Sequence, residues 1–226
     1  MVRTLIAVLL AAPMFAGVQK PSEAAKRVQQ ADWVFNEIMA APDKGIPNDL
    51  LEKAHCVVIV PAMKHGGFVV GARYGKGEAL CRTNSGAGWT GPSTVRIEGG
   101  SFGLQIGGGE VDLVMLVMND DGARKLMKDK FTLGVDATAA AGPVGRSAGA
   151  DTDAYMHAKI LSYSRSRGIF AGVVLDGATL RPDNDDNKIL YGRAVSHEDI
   201  LLGRVAAPPA AKDLIAALKK HSPHES

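Results

Sequence analysis

Between Ser22 and Ala41 apolar residues recur at helical spacing. Val28, Ala31, Phe35, Ile38 and Met39 fall on one stripe, and "APDKGIP" supplies the stop. Trp33 points almost opposite that stripe at 100° per residue. It marks either a helix covered on two sides, the plainer reading, or an aromatic anchor at a membrane interface beside Lys26 and Arg27.

From Cys56 to Gly177 the period changes. "CVVIVP", "GFVVGAR", "EALCR", "STVRIEGG", "SFGLQIGGG", "VDLVMLVMND", "FTLGVDATAAAG", "AKILSYSRS" and "GIFAGVVLDGA" are short segments rich in Val, Ile, Phe and Gly, broken by turn residues. That spacing predicts antiparallel strands. Glycines inside them predict a sheet that bends sharply. "NDDGARKLMKDK" reads as a short helix between strands, "SHEDILLG" as another with Ser196 at its N-cap, and "PPAAKDLIAALKK" as a third. The expected fold is α+β: one domain with a strongly curved antiparallel sheet or partial β-barrel of Gly-rich hairpins, and helices at both ends. An outer-membrane barrel is excluded by an aromatic content of 5%, too low for two interfacial girdles.

Four patterns invite chemistry. Gly71–Gly77 in "GARYGKG" approaches a phosphate loop. However, three residues precede the Gly-Lys pair where four are needed, Gly77 replaces the Ser or Thr, and a strand follows. A hairpin turn with positive-φ glycines is expected there, and no nucleotide. "GGSFG" satisfies G-x-S-x-G at Ser101, with Asp112 and His157 downstream. That motif needs a helix after its serine, whereas the following glycines favour a strand, so a serine hydrolase at Ser101 is a remote alternative. Asp183, Asp185 and Asn187 have calcium-loop spacing, but Lys188 takes the glycine position and Ala194 the terminal glutamate's. An Asp- and Asn-rich turn is expected instead. The six histidines lack paired metal spacing, so neither metal nor cofactor is predicted, and no catalytic residue.

The N-terminus changes where this chemistry would operate. Arg3 precedes an apolar run from Leu5 to about Gly17, too short to cross a bilayer. Residues 1–16 read as a signal peptide, with cleavage after Ala16 or Ala24. The mature protein is expected to be exported, periplasmic or envelope-associated, and peripheral to the membrane. Lys+Arg 26 against Asp+Glu 24, less Arg3, leaves 25 − 24 = +1, so net charge gives no argument for nucleic acid. Export permits a disulfide between Cys56 and Cys81. In a simple meander of Cys56–Val60, Gly67–Ala72 and Glu78–Arg82, the two thiols would lie two strand spacings apart, about 10 Å, and stay free and buried.

Cations cluster locally. Lys64 and His65 follow Pro61, Arg73 and Lys76 sit in the next turn, and Arg165 and Arg167 share a strand face. Stacked hairpins would gather them into one cationic rim. A solvated, charge-balanced surface is the plainer reading.

Several blocks, in order, carry a resemblance: "AHCVVIVPAMKHGGFVVGARYGKGEALCR", "GWTGPS", "GGSFGLQIGGGEVDLVMLVMNDDG", "LGVDATAAAGPVGR" and "SYSRSRGIFAGVVLDGA". Across about Ala31 to Leu202 the chain resembles SYLF domains. Cys56 and Thr90–Gly91 depart from the usual Gly and Ser-Ala. The resemblance implies a non-enzymatic lipid-binding module, since eukaryotic members bind phosphoinositides and in some cases actin. It leads us to expect a SYLF-like domain over 22–205, followed by a C-terminal helix and polar tail over 206–226. The expected partner is an anionic phospholipid or membrane surface, met by Lys26, Arg27, Trp33, Lys64, Arg73, Lys76, Arg165 and Arg167. An envelope protein partner for a structural module is the alternative.

Overall fold

The computed structural model describes residues 20–40, 45–83, 86, 88–144, 158–166 and 169–222, leaving aside the side chains of 68–70 and 101–107. The leader 1–16, its cut at Ala16, His157 and Arg167 lie outside the described residues.

Helix α1 spans Glu23–Met39 and starts where Ser22 Oγ accepts from the Ala25 N–H at 3.2 Å. A cut after Ala24 would remove this cap. The predicted stripe is real: Val28, Ala31, Phe35 and Ile38 are buried, joined by Ala24 and Val34. Trp33 is 56% exposed, so α1 is covered on one side only and the two-sided reading is overturned. Helix α2 (Asn48–Lys53) leads into the sheet.

The predicted hairpins merge into two strands, β1 (Cys56–Cys81) and β2 (Ser93–Val117). They pair antiparallel from Cys56↔Val117 to Ala79↔Ser93, with irregularities between Val60 and Met63 and between Gly67 and Val69. Their apolar runs lack alternation because both faces are covered. Val57, Ile59, Val114 and Leu116 face a core shared with α1 and the C-terminal helix. Val58, Val60, Leu113 and Met115 face a second core inside the curl.

The ribbon doubles back on itself, so the two ends of β1 meet. Cys56 and Cys81 form a disulfide with a Cα–Cα distance of 3.9 Å, and the Arg82 N–H donates to the His55 carbonyl. This overturns the expectation of free thiols. The two-spacing estimate holds for neighbours in a flat meander, not for the ends of one folded strand. Gly71–Gly77 is likewise no turn. The positive-φ glycines among the described residues are Gly86, Gly134, Gly177, Gly192 and Gly203. Gly77 instead permits close approach: a Cβ there would collide with the Ile59 carbonyl oxygen and lie 2.7 Å from Val60 Cα.

Helix α3 (Asp120–Leu126), capped by Asn119, follows β2 as expected. Then come β3 (Phe131–Thr132), β4 (Ala139–Ala141), β5 (Ile160–Ser166), β6 (Ile169–Gly172) and β7 (Thr179–Pro182). Among the described residues the sheet has seven strands, ordered β3-β7-β2-β5-β4, with β1 on β2 and β6 on β5. β4 pairs parallel to β5, Ala139 opposite Ile160, so the sheet is mixed, not purely antiparallel. The result is a half-barrel.

Residues expected to form an Asp-rich turn make helix α4 (Asn184–Tyr191), with Asp183 as N-cap. Helix α5 (His197–Leu201) starts at the predicted Ser196 cap. Helix α6 (Lys212–His221) buries Leu214, Ala217 and Leu218 in the core that also holds α1.

Candidate functional site

Strand alternation separates Arg73 from Lys76, because residues three apart on a strand point to opposite faces. Lys76 points to the outer face, under α1 and α4. There Nζ lies 2.7 Å from Asp183 Oδ2 and 2.9 Å from Asp186 Oδ2, while Arg27 Nη1 reaches the same Asp186 oxygen at 2.8 Å. Burial pushes the Asp183 carboxyl up, but the Lys76 ammonium and the Asp186 N–H outweigh it and hold it below the ordinary value. Arg27 and Lys76 thus bind helix α4 to α1 and β1.

Two positions along β1, Glu78 is fully buried and accepts from Thr94 Oγ1 at 3.2 Å. Loss of solvent pushes its carboxyl up to about 8, against the opposing pull of Arg27 and Thr94. A hydrogen-bonded chain runs on from Thr94. Its N–H donates to Asn187 Oδ1 at 2.7 Å, and Asn187 Nδ2 donates to Ser93 Oγ at 3.0 Å. Ser93 Oγ lies 2.7 Å from His197 Nδ1, and His197 Nε2 lies 2.9 Å from the Leu126 carbonyl. A carbonyl only accepts, so Nε2 carries the hydrogen and Nδ1 accepts from the serine. Burial holds the His197 pKa below its ordinary value. Ser93 and His197 form a hydroxyl–imidazole pair, but Ser93 is fully buried and the imidazole is oriented by a carbonyl, not a carboxylate. The pair locks β2 to α5.

A second cluster sits at the first irregularity of the ribbon, where Ala62 has φ 47°. The Ala62 N–H donates to Asp112 Oδ1 at 3.0 Å, and Arg165 Nη2 donates to Asp112 Oδ2 at 2.8 Å. The guanidinium carbon of Arg165 lies 4.6 Å from the Trp33 ring centroid, with Glu37 Oε2 at 3.4 Å from Nη1. Arg165 is therefore engaged on three sides.

The remaining cations are less committed. Lys26 pairs with Glu23 at 2.6 Å in an exposed one-turn contact, which contributes little. Lys64 is exposed opposite Glu110, and Arg73 points into the open end of the half-barrel; neither makes an ion pair among the described residues. The predicted single rim is thus divided between two faces of the sheet.

Ser101 lies inside β2 opposite Gly71, with strand on both sides. The strand-turn-helix geometry of a nucleophile elbow is absent there. Asp183 and Asn187 are occupied as helix cap and network member, which accounts for their spacing without calcium. Among the described residues no three His, Cys, Asp or Glu groups converge as metal ligands, and no helix is long and apolar enough to cross a membrane.

Sequence reasoning missed Glu78, His197 and Asp186, and the network role of Asn187, because these residues reach their partners only through the fold. It also missed Arg82. Its guanidinium donates to the carbonyls of Ser222, Glu52, Leu51 and Ala54 at 3.0–3.4 Å and lies 4.4 Å from the Trp89 ring centroid, tying the ends of α2 and α6 to the β1 closure. A usable signal for Glu78 was its place in "GEALC", a carboxylate between apolar positions of a strand buried on both faces.

A curled sheet clamped between terminal helices defines an α+β half-barrel scaffold. The comparisons with known proteins go further. Residues 98–221 match the Ysc84 family, described as "Las17-binding protein actin regulator", and the chain belongs to this family, the SYLF family. Human SH3 domain-containing YSC84-like protein 1 is 34% identical over 197 residues, covering 86% of this chain and 57% of that protein. Protein YSC84 of Saccharomyces cerevisiae is 30% identical over 213 residues, covering 93% and 45%. LAS seventeen-binding protein 3 of the same yeast is 32% identical over 190 residues, covering 83% and 41%. The chain spans about half the length of these relatives, whose names describe binding or domain content and no enzymatic reaction.

Proposed function

We propose that this chain is a non-enzymatic module that binds anionic phospholipid at a membrane surface of a bacterial cell envelope. The observation that carries the reading is the open end of the half-barrel. Val174 (54% exposed) stands there beside Arg73, which has no carboxylate partner among the described residues. An exposed apolar side chain beside an unpaired cation matches an anionic bilayer surface. The apolar leader and the Cys56–Cys81 disulfide support export to an oxidising compartment.

Magnitudes refine the mode. Arg27, Lys76 and Arg165 are neutralised internally, so two or three cations remain at ~1 kcal/mol each. Charge alone holds the protein weakly, and apolar insertion supplies the rest. Sedimentation of the chain from Gly17 onward, which holds every described element, is the test. Retention is expected on vesicles rich in phosphatidylglycerol or cardiolipin, weakened but not abolished by high salt, and absent on zwitterionic vesicles. Failure to sediment with any vesicle would overturn the reading.

A second reading rests on Trp33, exposed and laid against Arg165 and Glu37. This aromatic and charged patch suits a protein partner, as the family's Las17-binding description suggests. Capture of an envelope protein by the wild type and not by Trp33→Ala, with vesicle binding unchanged, would favour it.

A further inference from the structure

The open end of the half-barrel contains a concavity of about 240 Å³. Met63, Val111, Leu113, Val173 and Leu175 line it, and these residues belong to or adjoin the inner core. Three polar side chains also reach it: Arg73 and His65 from β1, and Ser164 from β5. The cavity therefore continues the inner core outwards to a mouth that holds a cation.

Arg73 distinguishes this cavity from the rest of the molecule. Arg27, Lys76, Arg165 and Arg82 are each met by carboxylates or carbonyls. Arg73 has no such partner among the described residues, and loss of solvent pushes its pKa below the ordinary value with no compensating group beside it. A guanidinium stays protonated under these conditions, so its unmet donors favour a planar anion. The volume is below the roughly 300–1,000 Å³ of sites for drug-sized ligands. That suits one short apolar chain and not the two tails of a phospholipid.

We propose that this cavity binds a single-chain fatty carboxylate, its tail against Met63, Val111 and Leu113 and its carboxylate on Arg73. The site goes beyond adsorption to a bilayer, because it takes a monomeric amphiphile, although it shares Arg73 and the open end of the half-barrel with the lipid reading above.

The experiment uses the chain from Gly17 onward and three twelve-carbon probes below their micelle concentrations: dodecanoate, dodecanol and dodecyltrimethylammonium. Calorimetry gives affinity, and the methyl carbon resonance of Met63, assigned with Met63→Leu, reports position. Dodecanoate is expected to saturate one site, move the Met63 signal and bind at least ~10-fold more tightly than dodecanol, the worth of one charge-assisted contact. The cation should bind least. Arg73→Gln, at a partly exposed mouth where folding is not at risk, should reduce dodecanoate to the level of dodecanol and leave dodecanol unchanged. Equal affinities for the three heads, or a Met63 signal unmoved by dodecanoate, would overturn the proposal. Vesicle sedimentation run in parallel separates the two readings. Vesicles bound with Met63 unmoved defeats the cavity alone, whereas dodecanoate bound without vesicle binding supports the cavity and defeats the surface reading.

Discussion

Glu78 offers the sharpest test of the electrostatics. Its side chain is fully buried on the face of β1 under α1 and α4, with Thr94 as its hydrogen-bond partner and Arg27, Asp183 and Asp186 as the nearby charges. Burial pushes the carboxyl from 4.5 up to about 8. At neutral pH the folded chain therefore holds a proton that the unfolded chain releases, and stability falls as pH rises. The contribution is fully present below about pH 4.5 and lost through about pH 8. His197 acts in the opposite sense: its pKa is lowered on folding, so stability is lost as pH falls below its ordinary 6.5. The clean window for Glu78 thus runs from pH 6.5 to 8. Over that interval one proton at ~1.36 kcal/mol per pH unit amounts to about 2 kcal/mol.

Glu78→Gln keeps the shape, stays neutral at every pH and still receives the Thr94 hydroxyl. Urea unfolding at pH 6.5, 7.25 and 8 should show wild type losing about 2 kcal/mol relative to the variant. The variant should be the more stable protein at the alkaline end. Parallel stability curves across the window would refute a protonated, buried Glu78.

Other perturbations follow from the way β1 closes on itself. The disulfide spans a sequence separation of 25, so Cys56→Ala with Cys81→Ala should cost about 3–4 kcal/mol by chain entropy. Thermal melting with and without reductant reads this out, and an unchanged midpoint would count against it. Gly77→Ala places a methyl group against the backbone of Ile59 and Val60, and should cost roughly 3 kcal/mol, the upper end for overpacking, by urea titration. Arg82→Met retains the stem over Trp89 but removes the guanidinium donors from the carbonyls of Leu51, Glu52, Ala54 and Ser222, of which Leu51 keeps the Ala54 N–H. A loss of about 3 kcal/mol is expected, together with faster amide exchange in α6 than in α1.

The elements legible in the sequence were those whose causes are local. α1, α3 and α5 each begin at a capping side chain within three residues of the amide it satisfies. Interior glycines correctly foretold a strongly curved sheet. Strand lengths were hidden because "CVVIV" and "DLVMLV" are buried on both faces, which removes the alternation that marks a register. The disulfide was hidden because its distance depends on how far one strand folds back, not on neighbour spacing. The division of the cations was hidden for a related reason. Arg27 and Lys76 meet Asp186 across sequence separations of 159 and 110, and nothing near either residue announces that partner. Asp183 carried a local signal, since a helix cap and a calcium loop both begin with Asp, and the apolar "ILY" downstream favoured the helix.

The fate of α1 decides how a membrane could be met. A helix that inserts must offer its apolar stripe, yet Val28, Val34, Phe35 and Ile38 are 0–2% exposed in the core shared with α6 and the sheet. Lifting the helix would expose these four at ~1.5–3 kcal/mol each, or about 6–12 kcal/mol in all. Insertion would recover a similar amount for α1 itself. It would leave Val57, Ile59, Leu116 and Leu161 on the sheet uncovered and break the Arg27–Asp186 pair, so the exchange is unfavourable. Contact through the open end needs no such opening, because Val174 is already exposed there. The expected ranking on anionic vesicles is therefore specific. Val174→Asp should weaken sedimentation by roughly 10-fold or more, through lost burial and added repulsion, while Trp33→Ala should change it less than about 2-fold. The reverse ranking would return the membrane contact to α1 and require the helix to leave its core.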